Sequence, residues 1–281
     1  MDTQLLKRQF AKMGAQLDVQ FVSAQPRSRS PWARMVRDFS LDIAERGPKG
    51  RDEVFTLTVR EELQDQLDFM AVDVRPKDRH LLLMLKRLES RVDRTKEKFL
   101  CGHDERHWFV ASVPDVRGIA NVTQAMEALK PDMVVGSQKR AGVKVKDWHK
   151  RKNAGYIRQG EWFFLPEPSF KPQSPWLILY KEPISRGGGK PHFVEQVYRV
   201  GGETVYVSHR NPNGLTEPEY RELIKRRPKL QKLNWRVMRR NPTVYAKGKV
   251  RHPDHQTIIL PFWHRVAMNI EHQSVNVAFL D

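Results

Sequence analysis

The sequence is poor in cysteine and in long apolar runs. Cys101 is the only cysteine among 281 residues, so an internal disulfide, a multi-thiolate zinc site and an ordinary iron–sulfur cluster are all excluded. No uninterrupted run of about 18 apolar residues occurs, and no apolar stretch follows the basic residues near the N-terminus. We therefore expect a cytoplasmic protein of a reducing compartment, without signal peptide, membrane span or membrane partner.

The common catalytic and nucleic-acid-binding signatures are also missing. The sequence contains no Gly-x-Ser-x-Gly elbow, dinucleotide fingerprint, His-Glu-x-x-His helix or EF-hand loop. It likewise lacks helix-turn-helix, zinc-finger and RNP signatures. Function must therefore be inferred from charge, aromatic residues and local clusters of titratable side chains.

Acidic residues are scarce in the second half of the chain. Lys and Arg number 50 against 33 Asp and Glu, for a net charge of +17. Residues 1–138 hold 23 basic and 21 acidic side chains, whereas residues 139–281 hold 27 and 12. Two segments, 139–152 and 221–251, concentrate the excess. They alternate with strand-like sequence and do not form one basic amphipathic helix, which favours nucleic acid over a membrane surface, with an acidic protein as an open alternative.

The expected phosphate contacts lie in these two basic segments. They are Lys139, Arg140, Lys144, Lys146, Lys150, Arg151, Lys152, Arg226, Arg227, Arg236, Arg239 and Arg240. Aromatic side chains in or just after the first segment could stack on bases while the cations hold phosphates. The base-stacking candidates are Trp148, Tyr156 and Trp162.

The pattern of short alternating segments and turns predicts an α+β, β-dominated fold of mostly antiparallel hairpins with few short helices. The helices are expected near residues 2–14, 122–129 and 216–227, and the Gly201-Gly202 pair predicts a tight hairpin. The shift in charge predicts two domains. These are a near-neutral scaffold or protein-docking domain (1–135) and a basic nucleic-acid-binding domain (154–281), joined by a basic linker (136–153).

A cluster of titratable residues near the C-terminus could carry hydrolytic chemistry. His252, Asp254, His255 and His264 are residue types that metal-dependent nucleases use, although the spacing matches no known motif. The competing interpretation is an ordinary turn or a phosphate contact. A second mixture, His103 to His107, is expected as a polar hairpin tip, with a metal or acid–base role as its alternative.

Residues 186–192, with sequence RGGGKPH, superficially resemble a phosphate-cradling loop. The Walker pattern requires Gly-Lys-Ser/Thr at the start of a helix, whereas Lys190 is followed by Pro191 and a predicted strand. A hairpin connection, or a basic loop touching a nucleic-acid backbone, is therefore expected.

The leading hypothesis is a nucleic-acid-binding protein that contacts RNA or DNA phosphates through its basic half. If residues 1–135 dock other protein subunits, the protein is part of a larger nucleoprotein complex. This function requires no cofactor. The alternative is a metal-dependent nuclease or phosphoester hydrolase that uses the C-terminal His/Asp cluster and a divalent metal of unassigned identity. The sequence favours neither RNA nor DNA, and neither single nor double strands.

Overall fold

The structure is a computed structural model that describes residues 1–23, 38–46, 52–88, 96–115, 118–185 and 190–271. About 50% of it is strand and 21% helix, in several antiparallel sheets with four α-helices among the described residues. The predicted β-dominated α+β class is confirmed. The chain folds as two compact units, residues 1–130 with 270–271 and residues 131–269. No helix in the described ranges has the length and apolarity needed to cross a bilayer.

The described part of the first unit contains two sheets and two α-helices. Its elements are α1 (Thr3–Lys12), β1 (Leu17–Val22), β2 (Phe39–Arg46), β3 (Asp52–Arg60), β4 (Leu67–Arg75), β5 (His80–Arg87), β6 (Lys96–Asp104), β7 (His107–Val113) and α2 (Val122–Ala128). Strand β3 pairs parallel with β1 and antiparallel with β2. Strands β4 to β7 form an antiparallel meander. The predicted helices near 2–14 and 122–129 are thereby confirmed.

Both faces of the meander are buried, because successive side chains of a strand point to opposite faces. On β5, Leu81, Leu83 and Leu85 join the core that also holds Phe10 of α1. The intervening Leu82 packs with the residues of α2 on the other face. This double burial explains why the sequence of β5 is continuously apolar rather than alternating. Cys101 lies in the core that holds Phe10, where burial raises the pKa of its thiol.

The second unit contains a larger sheet and a small one. Its elements are α3 (Asp132–Arg140), β8 (Lys152–Asn153), β9 (Tyr156–Gln159), β10 (Trp162–Pro166), β11 (Leu179–Ile184), β12 (His192–Val200), β13 (Glu203–Ser208), β14 (Asn211–Thr216), α4 (Glu217–Arg226), β15 (Arg236–Arg240), β16 (Thr243–Arg251) and β17 (Ile258–Met268). The seven-stranded sheet has the order β11-β12-β16-β17-β10-β9-β8, and the three-stranded sheet has the order β14-β13-β15. Helix α4 confirms the helix predicted after Thr216.

The predicted hairpin at Gly201-Gly202 is wrong in its pairing. Both glycines have positive φ, 73° and 76°, as a tight turn requires. The strands on either side nevertheless enter different sheets, since β12 pairs with β11 and β16 while β13 pairs with β14 and β15. The two glycines therefore carry the chain from one sheet to the other.

Strand β10 is buried on both faces. Trp162 and Phe164 point into the main core of the second unit, and Phe163 and Leu165 point into the smaller core that includes Val134 of α3. Trp162 is 0% exposed and Tyr156 is 1% exposed. Neither ring offers a face to a base, so both predictions of base stacking are wrong. Trp148 is half-buried, and its indole N–H donates to the carbonyl of Val143.

Residues 136–153, expected as a linker, are folded into the second unit. They begin within α3, pass through a 3₁₀ turn (Val145–Asp147) and end in β8. The side chain of Gln138, at 0% exposure, donates to the carbonyl of Trp148, and the hydroxyl of Tyr156 donates to the same carbonyl. These bonds fix the basic segment 139–152 as a structured loop.

Candidate functional site

Three histidines meet in the second unit. His192 is the first residue of β12, and His252 and His255 lie in the connection between β16 and β17. One nitrogen of each ring lies within 4.8 Å of the others. The His192 and His252 rings are 4.2 Å apart between centroids, and His255 lies 4.7 Å from His252. We call these three residues the histidine cluster.

Gln159, at the end of β9, fixes the orientation of His192. Its side-chain nitrogen lies 3.3 Å from the carbonyl of Val250 and 2.6 Å from that of Gln256. Carbonyls only accept hydrogen bonds, so the amide nitrogen must face them and the amide oxygen must face His192. His192 Nδ1, 2.9 Å from that oxygen, therefore carries the proton and donates it. The Nε2 atom of His192 is left with a lone pair.

The tautomer of His252 follows from similar logic. The backbone N–H of Asp254 donates to Nδ1 of His252 at 3.1 Å. Since a nitrogen that accepts has no proton, the proton of the neutral ring is on Nε2, which donates to the carbonyl of Lys190 at 3.2 Å. His192 and His252 thus each donate one ring N–H to an oxygen and keep a lone pair on the other nitrogen.

The turn between β9 and β10 closes the cluster. Gly160 has φ of 58°, and a Cβ built there would lie 2.9 Å from Nε2 of His255 and 3.3 Å from Cε1 of His192. Glycine therefore satisfies both the backbone conformation and the close approach of the rings. The next residue, Glu161, places its carboxylate 3.7 Å from Nε2 of His192.

Burial and mutual repulsion act on the charges of the cluster. Burial lowers the pKa of His252, and positive charge on His192 and His255 lowers it further. Burial raises the pKa of Glu161, but the interaction with His192, a bond from its own backbone N–H and the charge of His255 together hold that pKa below its ordinary value. Burial therefore favours the neutral ring of His252, while the carboxylate of Glu161 is ionised at neutral pH.

The predicted His/Asp set is only partly assembled. His252 and His255 belong to the cluster, whereas His264 lies on β17, stacked on Phe262 and bonded through Nδ1 to the Phe262 carbonyl. The carboxylate of Asp254 binds the ammonium of Lys190 at 2.9 Å. The four residues do not form the single centre that the sequence predicted, and His192 takes the third histidine position.

His103 and His107 lie on the two strands beside a hairpin tip, as expected. The tip joins β6 to β7 within the first unit, with His103 paired to Trp108 across the strands. His107 Nδ1 lies 2.5 Å from a carboxylate oxygen of Glu53, whose other oxygen accepts from the backbone N–H of Trp108. These contacts stabilise the hairpin.

A cationic groove lies on the face of the large sheet opposite its main core. Its volume is about 540 Å³, and it is lined by Lys181, Phe193, Val194, Glu195, Lys249 and Arg251. Phe193 pairs with Arg251 across β12 and β16, and Phe193 is 48% exposed. We call this surface the sheet groove.

Comparison of the chain with protein-family models, with curated proteins and with solved structures gave no match. Inference about function therefore depends on the geometry of the two features above.

The charge of the sheet groove is predominantly positive. Within the described part of the chain, Lys181, Lys249 and Arg251 make no ion pair. The carboxylate of Glu195, the one acidic side chain of the lining, accepts the backbone N–H of Lys249 at 2.9 Å. Trp176 and Tyr180, 79% and 64% exposed, lie just before and on β11, the strand at the edge of the same sheet.

The twelve predicted phosphate contacts are placed unevenly. Most are exposed, but Lys150 pairs with Asp147, Arg226 with Glu222 and Arg240 with Glu203. Lys139, Arg140, Lys144, Lys146 and Lys152 are exposed along the structured loop without an ion pair to any described residue. Arg227, Arg236 and Arg239 are exposed near the small sheet, and Arg151 is half-buried.

Sequence reasoning missed several residues of both features. His192, Gln159 and Glu161 complete the histidine cluster, and Lys181, Phe193 and Arg251 form much of the sheet groove. The available signal was residues 190–193, which follow the glycine-rich stretch and supply both His192 and Phe193. The glycines of that stretch, 187–189, and Arg186 lie outside the described residues.

Proposed function

We propose that this protein binds nucleic acid, and that the sheet groove holds a single-stranded segment of it. The observation that carries the proposal is the exposed ring of Phe193 beside Lys181, Lys249 and Arg251. Single-strand binders combine cationic grooves that follow the phosphates with exposed aromatic rings on which bases stack. A paired base within a duplex offers no such face, which favours a single strand.

The overall charge supports a polyanionic partner. Residues 131–269 contain 27 Lys and Arg against 11 Asp and Glu, a net charge of +16. The exposed cations of the loop 139–152 add to the positive charge of the same unit. Such a field concentrates polyanions near the surface and accelerates their association.

Fluorescence anisotropy with labelled 20-nucleotide single strands of RNA and DNA, and with the corresponding duplexes, tests this proposal. Loss of one stacked base costs about 1–3 kcal/mol, so Phe193→Ala should weaken single-strand binding about 5- to 150-fold. The matched control is Val237→Ala, since Val237 is exposed on β15 away from the groove lining. Its affinity should equal that of the unchanged protein.

Two outcomes would contradict the proposal. One is the absence of salt-sensitive binding to any of the four nucleic acids at low ionic strength. The other is equal affinity of the Phe193 and Val237 variants, which would place binding on another surface. The nuclease alternative remains a separate prediction. The four residues proposed for it do not lie at one centre, which does not favour it.

A further inference from the structure

We propose that His192, His252 and His255 form a binding site for one divalent transition-metal ion of the class of Zn²⁺, with Glu161 as an adjacent oxygen ligand. This inference does not depend on nucleic-acid binding. Successive residues of a strand point to opposite faces, so His192 and Phe193 place the histidine cluster and the sheet groove on opposite faces of β12.

The ligand types select the class of metal. Imidazole nitrogens suit Zn²⁺, Cu²⁺, Ni²⁺ and Fe²⁺, whereas Mg²⁺ and Ca²⁺ require oxygen ligands. A set of three histidines and one carboxylate therefore favours a transition metal. The 3.7 Å between Nε2 of His192 and the Glu161 carboxylate is close to the separation of about 3.4 Å that two ligands adopt around a tetrahedral zinc ion.

The hydrogen bonds around the cluster are of the kind that prepare histidines for a metal. A ligating histidine almost always donates its other ring N–H to an oxygen, which fixes its tautomer and orientation. His192 donates to the amide oxygen of Gln159, and His252 donates to the carbonyl of Lys190. The nitrogens that would bind the ion are Nε2 of His192 and Nδ1 of His252, which accepts the backbone N–H of Asp254 when no ion is bound.

Coordination requires a limited rearrangement. The His192 and His252 rings lie face to face at an angle of 25°, and a lone pair lies in the plane of its ring. The two rings must therefore tilt relative to each other to direct these lone pairs to one point. His252 and His255 lie in a connection between strands, and the Asp254 N–H bond that His252 would exchange for the metal is 3.1 Å long.

The experiment uses the full chain without a histidine tag, stripped with a chelator and desalted. Zn²⁺ is added, unbound ion is removed by gel filtration, and bound zinc per chain is measured by elemental analysis and titration calorimetry. We expect one ion per chain, with no comparable binding of Mg²⁺. Co²⁺ should bind at the same site and give the visible absorption of a low-coordinate ion.

The first two variants change histidines of the connection between β16 and β17, which are half-buried. The substitutions His252→Gln and His255→Gln should each abolish stoichiometric zinc binding. Gln159→Ala, which removes the partner of His192, should weaken binding about 10- to 100-fold. The matched controls are His209→Gln, at an exposed position, and His264→Gln, a buried histidine outside the cluster. Both should keep one zinc per chain.

Circular dichroism and the thermal midpoint of each variant show whether it is folded. The proposal is overturned if the unchanged protein binds no more zinc than the His252→Gln/His255→Gln double variant. It is also overturned if folded His252→Gln and His255→Gln variants each retain one tightly bound ion. In either case the three rings are a structural stack.

Discussion

His264 illustrates how burial changes the behaviour of a single residue. It is 1% exposed on β17, and its pKa is lowered because burial disfavours the charged ring more than the bond to the Phe262 carbonyl favours it. The unfolded chain, with a histidine pKa near 6.5, therefore binds a proton that the folded chain resists. The contribution of His264 to the free energy of unfolding is therefore fully present above about pH 6.5. It is lost as the pH falls toward the lowered pKa of the folded state.

We expect His264→Gln to reduce the loss of stability between pH 7.5 and pH 5.5. One group contributes at most about 1.4 kcal/mol per pH unit to the free energy of unfolding. Urea unfolding of both proteins at the two pH values measures this difference. His209→Gln, at an exposed position, is the control and should keep the pH dependence of the unchanged protein. An unaltered dependence in His264→Gln would show that His264 is not the group responsible.

The histidine cluster shows what sequence reasoning reaches at the scale of residues. His252 and His255 are three positions apart in one connection, and the sequence identified both as candidate ligands. His192 lies 60 positions before His252, and Gln159 lies 33 before His192. The pairing of β12 with β16 brings His192 to His252, and Gln159 of β9 reaches them through its bonds to the carbonyls of Val250 and Gln256. No local pattern encodes these long-range contacts.

At the scale of elements, helix α4 follows a local rule closely. Thr216 precedes the helix, and the Glu219 carboxylate accepts from both the backbone N–H and the hydroxyl of Thr216, each at 2.8 Å. Together with the Thr216 side chain facing the backbone N–H of Glu219, the bond from the Thr216 backbone N–H to the Glu219 carboxylate makes a capping box. Tyr220 of the same helix stacks on Tyr206 of β13, with centroids 4.3 Å apart. The cap therefore fixes the start of a helix that packs on the small sheet.

Thr216→Ala should destabilise the first turn of α4 by about 1 kcal/mol, the usual effect of losing such a cap. Hydrogen exchange of the amides of residues 219–221, which follow Pro218 in the first turns of the helix, should become about five times faster, because local opening is easier by that amount. Glu222→Ala is the control, since Glu222 pairs only with the exposed Arg226 side chain and lies beyond the cap. Equal exchange in the two variants would contradict a stabilising role for the cap.

The positions of most strands were predicted well, because local signals suffice for them. The pairing of strands with one another was not predicted. Alternation and turn residues identified most strands and the class of fold. The pairing of β13 with β14 and β15, instead of β12, depends on long-range contacts. Strand β10 is aromatic because it is buried on both faces, whereas its proximity to basic residues suggested base stacking. Aromatic composition alone does not distinguish these two cases.

At the scale of the whole molecule, positive charge is concentrated in residues 131–269 while residues 1–130 are nearly neutral. If nucleic acid binds the sheet groove, the dependence of affinity on salt should follow the cations of that groove. Each phosphate neutralised on a single strand contributes about 0.7 to the slope of log K against log salt concentration. The slope thus reports how many groove cations contact phosphates.

We expect the triple variant Lys181→Ala/Lys249→Ala/Arg251→Ala to lower the magnitude of that slope by about 2, since three phosphate contacts would be lost. The matched triple variant Arg8→Ala/Lys12→Ala/Lys77→Ala removes the same charge from exposed positions of the first unit. Its slope should equal that of the unchanged protein, because counterion release depends on contacts and not on net charge. Equal reductions in both triple variants would mean that the whole field of the protein, rather than the sheet groove, attracts the nucleic acid.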